Sequence, residues 1–232
     1  MIKYCIDRVI VPLLFLTMAT VVSLCSICSL ENGDETDSAI RLYSVEEENK
    51  RYISPYDALF QGVAAKMEMD WLLLLSIARA ESEFRADAVS RSGAVGLMQV
   101  MPFVASSMGV SRDELFIPER NIEVAAELLS SIKKMYGFKD SMDEAEQIKF
   151  ILAAYNAGYS RISDARRLAR YFEDDDCRWH IVASYLALLS EEEYSEHEVV
   201  RYGAFYGSDE TISYVDKVLH IYNLYRSRIV VL

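Results

Sequence analysis

The chain contains few of the residues that characterise several protein classes. Its 232 residues include nine glycines and four prolines, too few for a collagen-like or low-complexity protein. Its 24 basic residues are outnumbered by 36 acidic ones, which gives a net charge of −12. Nucleic acid is therefore excluded as the main partner, because binding phosphates requires a basic surface. No long repeat is visible, which argues against a solenoid.

Histidine and cysteine are also scarce, with three and four residues. His180, His197 and His220 form no His-x-x-x-His or His-Glu-x-x-His motif, so we expect no metal site. Cys177 is the only cysteine after residue 30, so that part of the chain has no internal disulfide. Three aspartates at 174–176 precede it, and nearby negative charge disfavours a reactive thiolate.

The first thirty residues have the pattern of an export signal. Lys3 and Arg8 precede a nearly uninterrupted apolar run over 9–22, as in secretory signal peptides. If the apolar segment is extended to residues 9–30, it is long enough to span a bilayer, which takes roughly 20 residues. A membrane anchor is therefore the alternative to a cleaved signal peptide. Cys25 or Cys28 could be lipidated after cleavage, as in bacterial lipoproteins. We therefore predict that residues 1–30 are a signal peptide or a lipoprotein signal or anchor.

The rest of the chain divides into a linker and one globular domain. Residues 31–54 are polar and acidic, and such a segment buries too little apolar surface to fold by itself. We predict an acidic linker there, followed by a single catalytic domain over 55–232. With 52% hydrophobic and 26% charged residues, the chain has enough apolar side chains to form a core.

The domain has the pattern of a helical protein. Pro55 is typical of a first helical turn, Asp70 is a suitable N-cap, and Gly137 and Gly158 indicate helix ends. Alternating runs long enough for a sheet are absent, and at most a short hairpin fits 90–100. We predict a mainly α fold with helices over 55–69, 71–83, 102–109, 121–136, 143–157, 161–172, 179–190 and 210–228.

Glu81 lies at the end of the most apolar of these predicted helices. Burial without a partner raises the pKa of a carboxyl group, because the charged form loses its hydration. A carboxylic acid that stays protonated near neutral pH can act as a general acid on a glycosidic oxygen. Periodicity alone favours the alternative, a surface carboxylate at a helix end.

Several motifs occur around and after Glu81 in a defined order. They are Glu81-Ser82, Ser90, Gly-Ala-Val-Gly-Leu-Met-Gln-Val-Met-Pro at 93–102, Asn121-Ile122, Ala-Ala-Tyr-Asn-Ala-Gly at 153–158, and Glu210-Thr211 with Tyr214-Val215. Together they span roughly 57–226 and resemble the lytic murein transglycosylases, the SLT or goose-lysozyme-like family. The C-terminal half, with 164–169, Trp179 and 199–203, is most similar to the membrane-bound lytic murein transglycosylase F type.

The resemblance implies a single goose-lysozyme-like helical domain. It also implies cleavage of peptidoglycan between N-acetylmuramic acid and N-acetylglucosamine, with attack by the sugar's own C6 hydroxyl and a 1,6-anhydromuramoyl product. Glu81 would be the catalytic residue, first as general acid and then as general base, and Tyr155 would orient it. The implied substrate-binding residues are Ser90, Gln99, Met101, Tyr155 and Glu210. The resemblance further implies that no cofactor is needed.

Two alternatives stay open at this point. A lysozyme-type hydrolase on the same fold would need a second carboxylate, for which Glu83 and Asp87 are the candidates. A non-catalytic peptidoglycan-binding module would not require the acid. In every case we expect a monomer whose partner is the glycan strands of peptidoglycan. It would be exported to the periplasmic side of the envelope and attached there through its N-terminal segment, to the outer membrane if it is lipidated.

Overall fold

The computed structural model describes residues 52–139 and 141–230, with side chains up to residue 228. Within these ranges no strand forms, and the predicted mainly α fold is confirmed. The α-helices are α1 (Asp57–Met67), α2 (Trp71–Ser82), α3 (Pro102–Ser107), α4 (Pro118–Tyr136), α5 (Glu144–Ala157), α6 (Tyr159–Tyr171), α7 (Trp179–Leu188), α8 (Glu192–Ser195) and α9 (Ser208–Val230). A short 3₁₀ helix (Asp113–Phe116) precedes α4.

The predicted signal or anchor and almost all of the predicted linker lie outside the described residues. None of the helices within 52–139 and 141–230 has the length and apolar character needed to cross a membrane. The residues from Ser54 onward form one compact unit.

Local signals set most helix ends. The Asp70 carboxylate accepts a hydrogen bond of 2.9 Å from the Leu72 amide and so caps α2. α4 begins at Pro118, three residues before the predicted start, because proline is well suited to a first helical position. Gly137 ends α4 with a φ of 50°, in the left-handed region that glycine adopts without strain.

The segment between α2 and α3 folds back on itself. It contains two isolated antiparallel bridges, Val89 with Val95 and Val95 with Val100. The bridges lie in the region where the sequence allows at most a short hairpin, and they do not extend into a ladder. We call residues 88–101 the bridge loop.

α2 forms the centre of the core, as its composition predicts. Leu74, Leu75 and Ile77 are at most 1% exposed, and the helix packs against α1 on one side and α9 on another. A helix this apolar is stable only when it is surrounded by other elements. In the last turn of α2, Ser82 is still buried, whereas Glu81 is partly exposed.

Candidate active site

Glu81 occupies that last turn of α2. The residue as a whole is partly exposed, but its carboxyl group is largely enclosed by protein. Loss of hydration raises the pKa of Glu81 from 4.5 to about 7. The carboxyl group therefore holds its proton in a substantial fraction of molecules at neutral pH.

Three side chains of α9 act on this carboxyl group. Tyr214 and Lys217 lower the pKa of Glu81 because they stabilise the carboxylate, whereas the negative charge of Glu210 raises it. Burial outweighs the lowering effects of Tyr214 and Lys217, so the pKa of Glu81 is raised. The Lys217 Nζ also donates a hydrogen bond of 2.8 Å to the Ala80 carbonyl, which holds the ammonium group beside the last turn of α2.

Tyr214 was not predicted as a site residue, although it lies in one of the sequence motifs. Its hydroxyl is buried close to Glu81, and burial raises its pKa well above the usual range. Within the described part of the chain this hydroxyl forms no hydrogen bond of standard geometry, although it lies near enough to Glu81 to lower the pKa of the carboxyl group. A buried polar group without a hydrogen bond lowers the stability of the folded protein. A small movement would let this hydroxyl form a hydrogen bond with Glu81 or with a group that enters the site. Glu210, Tyr214 and Lys217 follow helical spacing on one face of α9, a signal that could have identified them together.

Tyr155, near the end of α5, approaches Glu81 from another side. Burial and the negative charge of Glu81 raise the pKa of its hydroxyl well above the usual range. The hydroxyl donates its hydrogen bond to the Met98 carbonyl, at 2.7 Å, and thereby ties the bridge loop to α5. Tyr155 thus supports the loop beside Glu81, while its oxygen contributes to the polar surroundings of the carboxyl group.

Asn121, in α4, fixes the position of the bridge loop through hydrogen bonds. It is fully buried, and its Oδ1 accepts a hydrogen bond of 2.7 Å from the Met98 amide. Its Nδ2 donates to the carbonyls of Val95 and Leu115, each at 2.9 Å. Every polar atom of this buried amide is satisfied, so the loop has one defined position relative to α4.

The bridge loop also binds directly to α2. The Ser82 hydroxyl donates to the Leu97 carbonyl at 2.8 Å, which explains why a serine follows Glu81 in the motif. Gly96 is required where the loop passes Asn121, because a Cβ at this position would lie 2.4 Å from the Asn121 Nδ2. Its φ of 82° independently favours glycine.

Ser90 and Gln99, predicted to bind substrate, shape the same loop. The Ser90 hydroxyl accepts a hydrogen bond of 2.9 Å from the Ala94 amide. The Gln99 Nε2 donates to the carbonyls of Ala88 and Gly96, at 3.2 and 3.0 Å. Neither side chain forms a hydrogen bond with Glu81 in the described structure. Their interactions keep the loop in shape beside the carboxyl group.

The other two predicted substrate-binding residues lie at the borders of these elements. Met101 is partly exposed and directly precedes α3. Glu210 is exposed in the first turn of α9, and its charge reaches Glu81. The structure therefore brings Tyr155 and Glu210 to Glu81 and places Ser90, Gln99 and Met101 along the neighbouring bridge loop.

A comparison with known families decides what kind of domain this is. The model of the transglycosylase SLT domain matches residues 58–177, slightly more than half of the chain. The chain belongs to the transglycosylase SLT domain family. The matched region includes Glu81, the bridge loop, Asn121 and Tyr155, whereas α9 lies beyond it.

Curated relatives of the SLT domain in this chain carry the name membrane-bound lytic murein transglycosylase F. The protein from Marinobacter nauticus is 32% identical over 169 residues, which cover 73% of this chain and 32% of that protein. The protein from Vibrio campbellii is 35% identical over 167 residues, covering 72% and 30%. The chain thus spans about a third of the length of the curated relatives it matches.

Solved structures confirm the helical fold expected for the SLT family. An inactive mutant of lytic transglycosylase Slt from Pseudomonas aeruginosa has a TM-score of 0.53 and 24% identity, covering 77% of this chain and 25% of that one. A complex of the 70-kDa soluble lytic transglycosylase with bulgecin A has a TM-score of 0.50 and 25% identity, covering 75% and 24%.

The two carboxylates considered for a hydrolase do not enclose a site with Glu81. Glu83 lies beyond the end of α2 with a left-handed φ of 54° and is exposed, as is Asp87. Glu210 is the carboxylate whose charge raises the pKa of Glu81.

One group of side chains among the described residues has atoms arranged closely enough to hold a metal ion. The potential ligand atoms of Asp175, Asp176 and Cys177 lie within 4.8 Å of one another. The Asp176 carboxylate, however, forms ion pairs with Arg166 at 2.9 Å and Arg170 at 3.1 Å. Its charge is thus balanced by the protein, and the cluster is explained as a structural one.

Proposed function

We propose that this protein is a peptidoglycan lytic transglycosylase that cleaves the bond between N-acetylmuramic acid and N-acetylglucosamine and leaves a 1,6-anhydromuramoyl end. The observation that carries the proposal is the enclosed carboxyl group of Glu81, whose pKa is raised to about 7. The names of the curated relatives support the same reaction. A binding module alone would have no need for such an acid.

The first step uses Glu81 as a general acid. The protonated carboxyl group donates its proton to the glycosidic oxygen as the bond from that oxygen to C1 of the muramic acid breaks. Positive charge then develops on the sugar ring, and the N-acetyl oxygen of the substrate is placed to stabilise it. Proton donation is possible near neutral pH because burial keeps the acid form populated.

The second step uses the same residue as a general base. The Glu81 carboxylate takes the proton of the C6 hydroxyl while that oxygen bonds to C1, which restores the acid and consumes no water. Tyr214 and Lys217 stabilise the carboxylate that exists between the two steps, as their effect on the pKa of Glu81 indicates. Without these two groups the carboxylate would be a less stable intermediate state.

The internal nucleophile explains how a single enclosed carboxyl group can suffice. Retaining and inverting glycosidases place two carboxyl groups about 5–5.5 Å or 6.5–9.5 Å apart, respectively. The C6 hydroxyl replaces the second group here. Glu83 and Asp87 have no role in this mechanism, because it needs no second carboxyl group from the protein.

We further propose that the catalytic domain occupies 55–232 and acts as a monomer on glycan strands, with no cofactor. Attachment to the membrane on the periplasmic side, through residues 1–30 and the acidic linker, agrees with the membrane-bound relatives. Ser90, Gln99, Met101, Tyr155 and Glu210 are the proposed substrate-binding residues.

Product mass distinguishes the candidate reactions. We expect digestion of purified sacculi to give muropeptides one water lighter than hydrolysed products, detected by mass spectrometry. Digestion in heavy-oxygen water is the control, because a hydrolase inserts solvent oxygen at C1 whereas an internal attack does not. Heavy oxygen at the new ends would identify a hydrolase, and bound but uncleaved glycan would identify a binding module.

The charges on α9 should shift the pH dependence of the reaction in opposite directions. The rate should fall as pH rises through about 7, because the acid form of Glu81 is lost. Lys217→Met removes a charge that lowers the pKa of Glu81, so the fall should move to higher pH. Glu210→Gln should move it to lower pH. Both residues are exposed, so each shift should be below about one pH unit and should shrink with added salt.

The matched control for these pH profiles is Lys133→Met, which removes an exposed positive charge from α4. It should leave the profile unchanged. Shifts of Lys217→Met and Glu210→Gln in the same direction would contradict the proposed action of α9 on Glu81.

A further inference from the structure

α6 concentrates positive charge in a chain whose net charge is −12. The helix contains Arg161, Arg166, Arg167 and Arg170 but only one acidic residue, Asp164. Two cavities, of about 290 and about 500 Å³, adjoin it, and both are lined by Arg167 and Arg170. None of the residues lining them belongs to the site around Glu81.

Arg166, one of the basic residues that line the smaller cavity, has a structural role. The Arg166 guanidinium pairs with the Asp176 carboxylate at 2.9 Å and donates to the Asp176 carbonyl at 3.0 Å. It also lies over the rings of Tyr136 and Phe150, 5.5 and 5.1 Å from their centroids. Through these contacts Arg166 connects α4, α5 and the segment after α6. Its guanidinium group is already engaged by protein groups, so the smaller cavity is a poor candidate for an anion-binding site.

The larger cavity, in contrast, is lined by guanidinium nitrogens that have no hydrogen-bond partner among the described residues. Arg201 is exposed, and within the described residues its side chain forms no hydrogen bond or ion pair. Arg170 is 59% exposed and uses only its Nε, which contacts Asp176 at 3.1 Å and the Arg166 carbonyl at 3.3 Å. Both residues line the cavity, so their terminal nitrogens are available to a ligand.

Asp164 holds this wall in a fixed position. It is fully buried, pairs with Arg167, and accepts hydrogen bonds from the backbone amides of Arg201 and Tyr202 at 2.9 and 2.8 Å. The backbone that carries the Arg201 side chain is therefore anchored to α6 before any ligand binds. Preorganisation of this kind lowers the entropic cost of binding.

The larger cavity also contains one acidic side chain, which restricts the ligand. Glu198 lines it and has no ion-pair partner among the described residues. A phosphate dianion would be repelled by Glu198, whereas a ligand with both carboxylate and ammonium groups would match all the charges. Tyr171, which is 49% exposed, provides an apolar surface at the same wall. The cavity, with a volume of about 500 Å³, is shallow and open to solvent, so a bound ligand would keep part of its surface exposed.

We propose that this cavity binds a peptide that bears free carboxylate groups and a free amino group, the chemistry of the peptide stems of murein. Arg201 and Arg170 bind the carboxylates, and Glu198 binds the ammonium group. The choice of a murein peptide rests on the proposed function, whereas the charge pattern of the cavity does not. The site would hold the substrate by its peptide, apart from the glycan contacts near Glu81.

Isothermal titration calorimetry with the tripeptide L-alanyl-γ-D-glutamyl-meso-diaminopimelate tests the proposal. The unmodified full chain is used, because the tripeptide contains no glycosidic bond and cannot be cleaved by the proposed reaction. We expect saturable binding that Arg201→Gln weakens about tenfold, since a charge-assisted hydrogen bond is lost. Glu198→Gln should weaken binding of the tripeptide but not of an analogue whose side-chain amine is acetylated. Arg228→Gln, which removes an equal charge outside the cavity, is the matched control.

Each result of the titration supports the peptide site or overturns it. Arg201→Gln should fold normally, because only the backbone of that residue forms hydrogen bonds; thermal unfolding checks this. No binding, binding unaffected by Arg201→Gln, or displacement of the tripeptide by equimolar inorganic phosphate would overturn the proposal. A chain that binds the tripeptide but releases no anhydro product contradicts the proposed function alone. A chain that releases this product without binding the tripeptide contradicts only the peptide site.

Discussion

Glu81→Gln should lower the rate of product release from sacculi by about 10²–10⁴-fold or more, because the amide cannot donate or accept the catalytic proton. The substitution keeps the size and shape of the side chain, so the bridge loop and α9 should keep their positions. Glycan binding should therefore remain close to that of the unmodified protein. Release of soluble muropeptides, measured by chromatography, gives the rate, and sedimentation with sacculi gives the binding.

Glu83→Gln provides the matched control for this loss of activity. It makes the same chemical change two residues further on, at an exposed carboxylate beyond the end of α2. The rate should stay near that of the unmodified protein. If the Glu81→Gln protein kept about a tenth of the activity, general acid catalysis by Glu81 would be ruled out, since a lost acid costs at least about a hundredfold.

The same substitution should change how stability depends on pH. The pKa of Glu81 rises from 4.5 to about 7 on folding, so the folded state binds the proton more tightly than the unfolded state does. Its contribution to stability is present below pH 4.5 and is lost as pH rises to about 7. Relative to pH 4.5, Glu81→Gln should therefore gain up to about 3 kcal/mol over the unmodified protein at pH 8. Urea unfolding at the two pH values measures the difference.

Gly96→Ala should destabilise the domain and disrupt its site together. The new methyl group would lie 2.4 Å from the Asn121 Nδ2 and 2.5 Å from the Leu115 carbonyl, and neither group can move without breaking buried hydrogen bonds. We expect a loss of about 2–5 kcal/mol, which combines overpacking with the cost of a left-handed backbone. The catalytic rate should fall as well, because the bridge loop next to Glu81 is displaced.

Gly93→Ala separates the two causes of that loss. Gly93 has a similar φ of 90°, but no atom lies within 4 Å of the position its Cβ would occupy. It should cost only about 1–2 kcal/mol for the backbone and leave the rate nearly unchanged. Equal losses for the two variants, measured by urea unfolding, would show that contact with Asn121 does not explain the glycine at 96.

The helices were predictable where local chemistry defines them. Asp70 caps α2 and Gly137 ends α4, and both effects act within a few residues of the chain. The 3₁₀ helix over Asp113–Phe116 and the four-residue helix α8 were not predicted. Elements this short have no apolar periodicity to recognise, and their stability comes from tertiary contacts.

The sequence motif identifies which residues belong together, but it does not predict which hydrogen bonds each side chain forms. Ser90 and Gln99 are predicted to contact the glycan, and the structure adds that the Ser90 hydroxyl and the Gln99 Nε2 form hydrogen bonds within the bridge loop. The motif shows that these residue types occur together, but not where each side chain directs its hydrogen bonds. Asn121 stands in the sequence only as the start of a helix motif, and the structure reveals it as the buried amide that holds the loop.

The amino-acid sequence by itself determined the helical class and the apolar helix that carries Glu81 in its last turn, because these depend on composition and on neighbours along the chain. Only the tertiary structure decided that α9 brings Tyr214, Lys217 and Glu210 to the same carboxyl group. It also decided that Arg201 and Glu198 share one cavity with α6. The physical reason is that a pKa or a binding site depends on distance in space, and packing brings together groups that are far apart in the chain.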